Sequence, residues 1–86
     1  MRSAPPRQIE NLQIDQAANG FVIFDASRER VHYLNHTAAL ILQLCSGENS
    51  ETDIAGYLQE AYALPEPPAA EVAAYVTRLA EEGLIV

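Results

Sequence analysis

At 86 residues, 49% of them hydrophobic, the chain is one small domain with a single modest core, too short for an enzyme built around a large cleft and too apolar for a disordered segment. Its net charge of −7, with no lysine, excludes the broad basic face that phosphate backbones require. No run approaches the ~20 apolar residues of a membrane helix. The start, Met1-Arg2-Ser3-Ala4-Pro5-Pro6, lacks the apolar centre of a signal peptide, and the single Cys45 makes no internal disulfide, so a cytoplasmic location is expected.

The first half reads as strands, because its apolar residues come in short runs between turn formers. Residues 1–8, with Pro5-Pro6, suggest a flexible extended arm. Ile9, Leu12 and Ile14 form a weak first segment. Asn19-Gly20 signals a turn before Phe21-Val22-Ile23-Phe24, whose aromatic and β-branched residues suit a pleated, half-buried surface. The polar stretch Asp25 to Glu29 closes a second hairpin into Arg30-Val31-His32-Tyr33-Leu34. Its register leaves open whether Val31 and Tyr33, or His32 and Leu34, face the core.

From Asn35 onward the period changes to helical. Asn35, or alternatively Thr37, serves as N-cap; Ala38, Ile41, Leu42 and Cys45 recur on one face, and Gly47 is expected to end the helix. Ser50 and Asp53 form a capping-box-like start for a second helix with an apolar stripe of Ile54, Tyr57, Leu58 and Ala61. Leu64-Pro65-Glu66-Pro67-Pro68 breaks the chain. A third helix carries Val72, Ala73, Val76, Leu79 and Ala80 until Gly83, after which Leu84-Ile85-Val86 return to the core. The whole predicts an α+β domain: a three-stranded antiparallel sheet followed by three helices, similar to a miniature winged helix-turn-helix.

Charge is unevenly placed. Residues 1–35 balance Glu10, Asp15, Asp25 and Glu29 against four arginines, whereas residues 36–86 set Glu48, Glu51, Asp53, Glu60, Glu66, Glu71, Glu81 and Glu82 against Arg78 alone. A winged helix that binds DNA is the main alternative reading, and these acidic helices argue against it. An acyl-carrier-like domain is suggested by size and charge only; Ser46 and Ser50 lack an Asp-Ser-Leu-like context, and the strands argue against an all-helical carrier.

The order Val22-Ile23-Phe24-Asp25, a polar turn, Val31-His32-Tyr33-Leu34-Asn35, an apolar helix, Leu44-Cys45-Ser46-Gly47, and a closing Glu82-Gly83-Leu84-Ile85 resembles the PqqD-like family of precursor-peptide recognition elements. The resemblance covers the chain after Phe21. It implies a protein that binds the leader of a ribosomally made precursor peptide as an added strand on the third strand, beside the third helix, and delivers it to a separate maturation enzyme. The run from Val22 to Asn35 looks like lasso-peptide precursor-binding proteins. Leu44-Cys45-Ser46-Gly47 looks instead like the PqqD chaperone, which serves a radical SAM maturase. In the lasso pattern the position two before Leu34 is aromatic, and here it is His32, with Tyr33 beside it.

The chemistry of strand addition is independent of the family. An open edge presents alternating N–H and C=O groups, and neighbouring pockets read every second side chain of the guest. The implied edge is Arg30, Val31, His32, Tyr33 and Leu34; the implied wall is Val72, Tyr75, Val76, Arg78, Leu79 and Glu82. Val72, Val76 and Leu79 also have the spacing of plain core residues. Tyr75 lies off the centre of their stripe, and Arg78 either pairs with Glu71, Glu81 or Glu82 or holds an acidic leader residue. The edge can also pair with its own copy into a homodimer. His32 and His36 have no ligand partner at a recognisable spacing, and Cys45 has no cationic sequence neighbour. No nucleophile, base or phosphate loop stands out, so no catalysis, cofactor or metal is expected.

Overall fold

A computed structural model describes residues 4–86, and it opens on a three-stranded antiparallel meander. Strands β1 (Leu12–Ala17), β2 (Gly20–Asp25) and β3 (Arg30–Leu34) lie in that spatial order, with β2 in the centre. Ile14, Ile23 and His32 stand opposite one another, as do Asp15, Val22 and Tyr33. Ile23 is fully buried, which fixes the face toward the helices. His32 and Leu34 share that face, half-buried, while Val31 and Tyr33 point to the opposite, solvent side.

The first turn falls one residue earlier than Asn19-Gly20. Ala18 and Asn19 make it, and Gly20 opens β2 at φ +153°, where a Cβ would strike the carbonyl oxygen of Leu34. Only glycine accepts both that backbone and that close approach. In the second turn the buried Asp25 accepts from the backbone N–H groups of Ser27 (3.1 Å) and Arg28 (3.3 Å) through one carboxylate oxygen. Arg28 approaches the other at 3.9 Å and also lies against Gly83, so this turn meets the end of the last helix.

Three helices follow: α1 (His36–Leu44), α2 (Glu51–Ala61) and α3 (Ala69–Glu81). Asn35, not Thr37, caps α1, its Oδ1 accepting from the Ala38 N–H at 2.8 Å. Gly47 does not stop that helix. The helix ends at Leu44 with Cys45 as its cap, and Gly47 (φ +90°) instead lets its own N–H reach the Pro6 carbonyl at 2.9 Å. The capping box of α2 forms in full despite the short Asp53, with Asp53 N–H to Ser50 Oγ at 3.1 Å and Ser50 N–H to Asp53 Oδ2 at 3.0 Å. Its buried stripe is Ile54, Ala55 and Leu58. Tyr57 lies roughly 100° round from their mean direction and is half exposed, and Ala61 is exposed as well. Gly83 (φ +77°) ends α3 in a Schellman motif: the Leu84 N–H bonds the Leu79 carbonyl and the Gly83 N–H bonds that of Ala80.

The core joins Ile23 of the sheet to Ile41 and Leu42 of α1, Ile54 and Leu58 of α2, and Val72, Val76 and Leu79 of α3. Leu84 and Ile85 complete it, as their return predicts, while the Val86 side chain is exposed. Within the expected arm 1–8, residues 1–3 lie outside the described residues. Pro6 to Gln8, with Ile9, form a docked strap: Pro6 is buried, Gln8 bonds the Cys45 carbonyl, and Arg7 and Ile9 bond the carbonyls of Val86 and Leu84. The paired C-terminal segment satisfies donors that an extended arm would leave to water. The likeness to a winged helix is therefore loose, since the described chain after α3 pairs with this strap and builds no hairpin wing.

Candidate functional site

β3 is an edge strand, so one side of its backbone has no partner within the described residues. Which groups point outward follows from the pairing. Antiparallel residues alternate between hydrogen-bonded and non-hydrogen-bonded pairs, and the Leu34 carbonyl faces β2 at Gly20. His32 and Arg30 share Leu34's parity and face β2 as well. The N–H and C=O groups of Val31 and Tyr33 consequently point away from the sheet. Their side chains are exposed by 50% and 78%.

Beside this edge runs a groove of about 180 Å³. Tyr33, Leu34 and Asn35 line it from β3 and its exit, Ala38 from α1, and Tyr75, Arg78, Leu79 and Glu82 from α3 and its cap. The helical residues are spaced at three, four and seven from Tyr75, which places them on one face of α3. Leu79, only 2% exposed, supplies an apolar floor. Val72 and Val76 are fully buried and do not line the groove; they hold α3 against the core behind it.

Tyr75 is half-buried, and its hydroxyl accepts from Asn35 Nδ2 at 3.3 Å. Asn35 thus has two tasks, since its oxygen caps α1 while its nitrogen ties the strand exit to α3. Arg78 is exposed and makes no ion pair among the described residues, so the surface pairing with Glu71, Glu81 or Glu82 does not form. The groove therefore offers a cation and, one helical turn on, the half-buried carboxylate of Glu82.

Arg30 stands at the start of β3, opposite Asp25, and is exposed. His32 packs on the helix side, where its Nε2 is shielded and has no hydrogen-bond partner among the described residues. Asn35 and Ala38 are the groove residues that sequence reasoning did not assign to the site. Asn35 carried a signal for capping only, and Ala38 carried one for the core. Among the described residues no group of three or more His, Cys, Asp and Glu side chains is arranged to hold a metal ion. No helix among them is long and apolar enough to cross a membrane.

The family model for coenzyme PQQ synthesis protein D matches residues 20–85, which is most of the chain. The chain belongs to the PqqD family. Among curated proteins no sequence matches significantly. A solved structure described as lasso peptide synthetase B1 complexed with the leader peptide is similar at 32% sequence identity, with a TM-score of 0.76, over 96% of this chain and 99% of that one. The match therefore spans the sheet, the groove and all three helices of this PqqD-family chain.

Proposed function

We propose that this protein captures the leader segment of a ribosomally made precursor peptide as a fourth strand on β3 and presents the attached core peptide to a separate maturation enzyme. The observation that carries the reading is the open β3 edge, with the amides of Val31 and Tyr33 directed outward, running beside the α3 groove. Membership of the PqqD family supports it, as does the similarity to a lasso peptide synthetase B1 solved with a leader peptide. That similarity favours a lasso-peptide pathway, with a leader peptidase and cyclase downstream, over a radical SAM maturase.

In this mechanism the leader backbone completes the ladder of β3, while alternate side chains enter the groove over Leu79. Tyr75 lines the wall. Arg78 faces an acidic leader side chain, and Glu82 faces a basic or amide one. The protein does no chemistry itself; holding the leader raises the effective concentration of the core peptide at the partner's active site in the cytoplasm. DNA binding is not favoured, because exposed Glu71 and Glu81 share α3 with Arg78 as its lone cation.

Isotope-edited NMR tests this directly. Titration with synthetic leader peptides of candidate lasso precursors is expected, for the leader that binds, to shift amides over residues 30–35 and along one face of α3. Absence of shifts with every such leader, together with broad shifts on adding duplex DNA, would transfer the case to the winged-helix reading.

A further inference from the structure

A second cavity, of about 230 Å³, lies where the end of α2, the following loop and the start of α3 meet. Tyr62, Leu64, Pro68 and Tyr75 wall it, with Leu58 beneath. Tyr75 also lines the β3–α3 groove, so the two cavities are neighbours across one ring. Tyr62 and Leu64 are 46% and 36% exposed and adjoin one another in this wall. They are held: the Leu64 N–H bonds the Gln59 carbonyl at 2.9 Å, the Tyr62 hydroxyl lies 3.5 Å from Thr37 Oγ1, and three prolines stiffen the loop beyond.

The cavity's position relative to β3 says what would enter it. The open edge stops at Leu34, because Asn35 turns the chain into α1. A guest strand that continues past Leu34 loses its ladder partner there and meets Tyr75 next. In an antiparallel addition this is the guest's N-terminal flank.

We infer that the α2–α3 cavity is a second leader subsite, taking one bulky neutral side chain, aromatic or branched aliphatic, from the leader flank that runs beyond the strand-added segment. The inference rests on the leader-binding reading above. The walls are mostly apolar, with Thr37 adding a hydroxyl, and the charged residue lining the cavity is Glu71, which disfavours an acidic guest. The β3 groove fixes register through backbone bonds, whereas this cavity selects by shape.

The test is a set of affinities for a synthetic leader peptide, the tightest binder of a panel of lasso-precursor leaders, measured with the wild-type protein and with Leu64→Ala. The same leader is then scanned with alanine at each position. Leu64→Ala is expected to weaken binding about fivefold, and one apolar position in the leader flank, costly to truncate with the wild type, should become nearly neutral in the variant. Intermolecular NOEs from that leader side chain to the Leu64 methyl groups give an independent reading that survives any change in stability. Additive effects at every leader position, with no such NOEs, would overturn the subsite while leaving leader capture in place. Failure of the wild type to bind any leader of the panel would overturn both.

Discussion

β1 and β3 are both edge strands of one sheet, yet they offer a guest different things. By the same alternation that points Val31 and Tyr33 outward, β1 directs the amides of Leu12, Ile14 and Gln16 to its open side. Gln13, Asp15 and Gln16 are exposed along it, and the Asp15 carboxylate, bonded by Gln13 at 3.3 Å, puts a charge on that strand. A charge on an edge discourages pairing. β3 has its charge at its first residue, Arg30, and beyond it carries exposed Val31 and Tyr33 and shares a groove with α3. An unpaired edge is thus common to both strands, and the helix wall beside one of them makes the difference.

Removing the support of that wall has the largest expected effect. Leu79→Ala empties a core position under the groove and should lower stability by about 2–4 kcal/mol, read from urea unfolding. An unchanged unfolding midpoint would mean that Leu79 is not part of the packed floor. The edges themselves are compared next. Tyr33→Pro removes an outward donor from a strand that tolerates proline at its edge, and leader affinity should fall at least about tenfold with the circular dichroism spectrum intact. Gln16→Pro, the equivalent change on β1, should leave affinity within about twofold. Equal losses from the two would erase the distinction between the edges.

Smaller effects sharpen the picture. Asn35→Ala removes the cap of α1 and the tie to Tyr75, and should cost about 1 kcal/mol of stability with a modest loss of leader affinity. Arg78→Gln should weaken binding only two- to threefold, roughly half a kcal/mol, and the difference from wild type should fade as salt is raised. A salt-independent loss would point to packing of the arginine stem rather than its charge.

The distinction between the edges was legible in part from the sequence. The three strands, the three helices, the Asn35 cap, the Ser50–Asp53 box and the Gly83 stop all follow from local patterns, because each depends on residues within one turn or one hairpin. Register did not follow. His32 and Leu34 face the helices because β3 pairs His32 with the buried Ile23 and Leu34 with Phe21, a match across two strands. The dual role of Asn35 is hidden for the same reason, since its second partner, Tyr75, is forty residues away. Val72 and Val76 have the same helical spacing whether they line a groove or back it, and packing alone separates the cases. The strap over residues 6–9 was unreadable too, because its partners are the carbonyls of Cys45, Leu84 and Val86, and backbone groups carry no sequence signal.

Amide hydrogen exchange, residue by residue, with and without the leader peptide, tests the central claim most directly. In the free protein the outward amides of both edges, Val31 and Tyr33 on β3 and Ile14 and Gln16 on β1, should exchange readily. With leader bound, protection should appear at Val31 and Tyr33 and leave Ile14 and Gln16 unchanged. Bound leader with Val31 and Tyr33 still exchanging freely would contradict strand addition on β3.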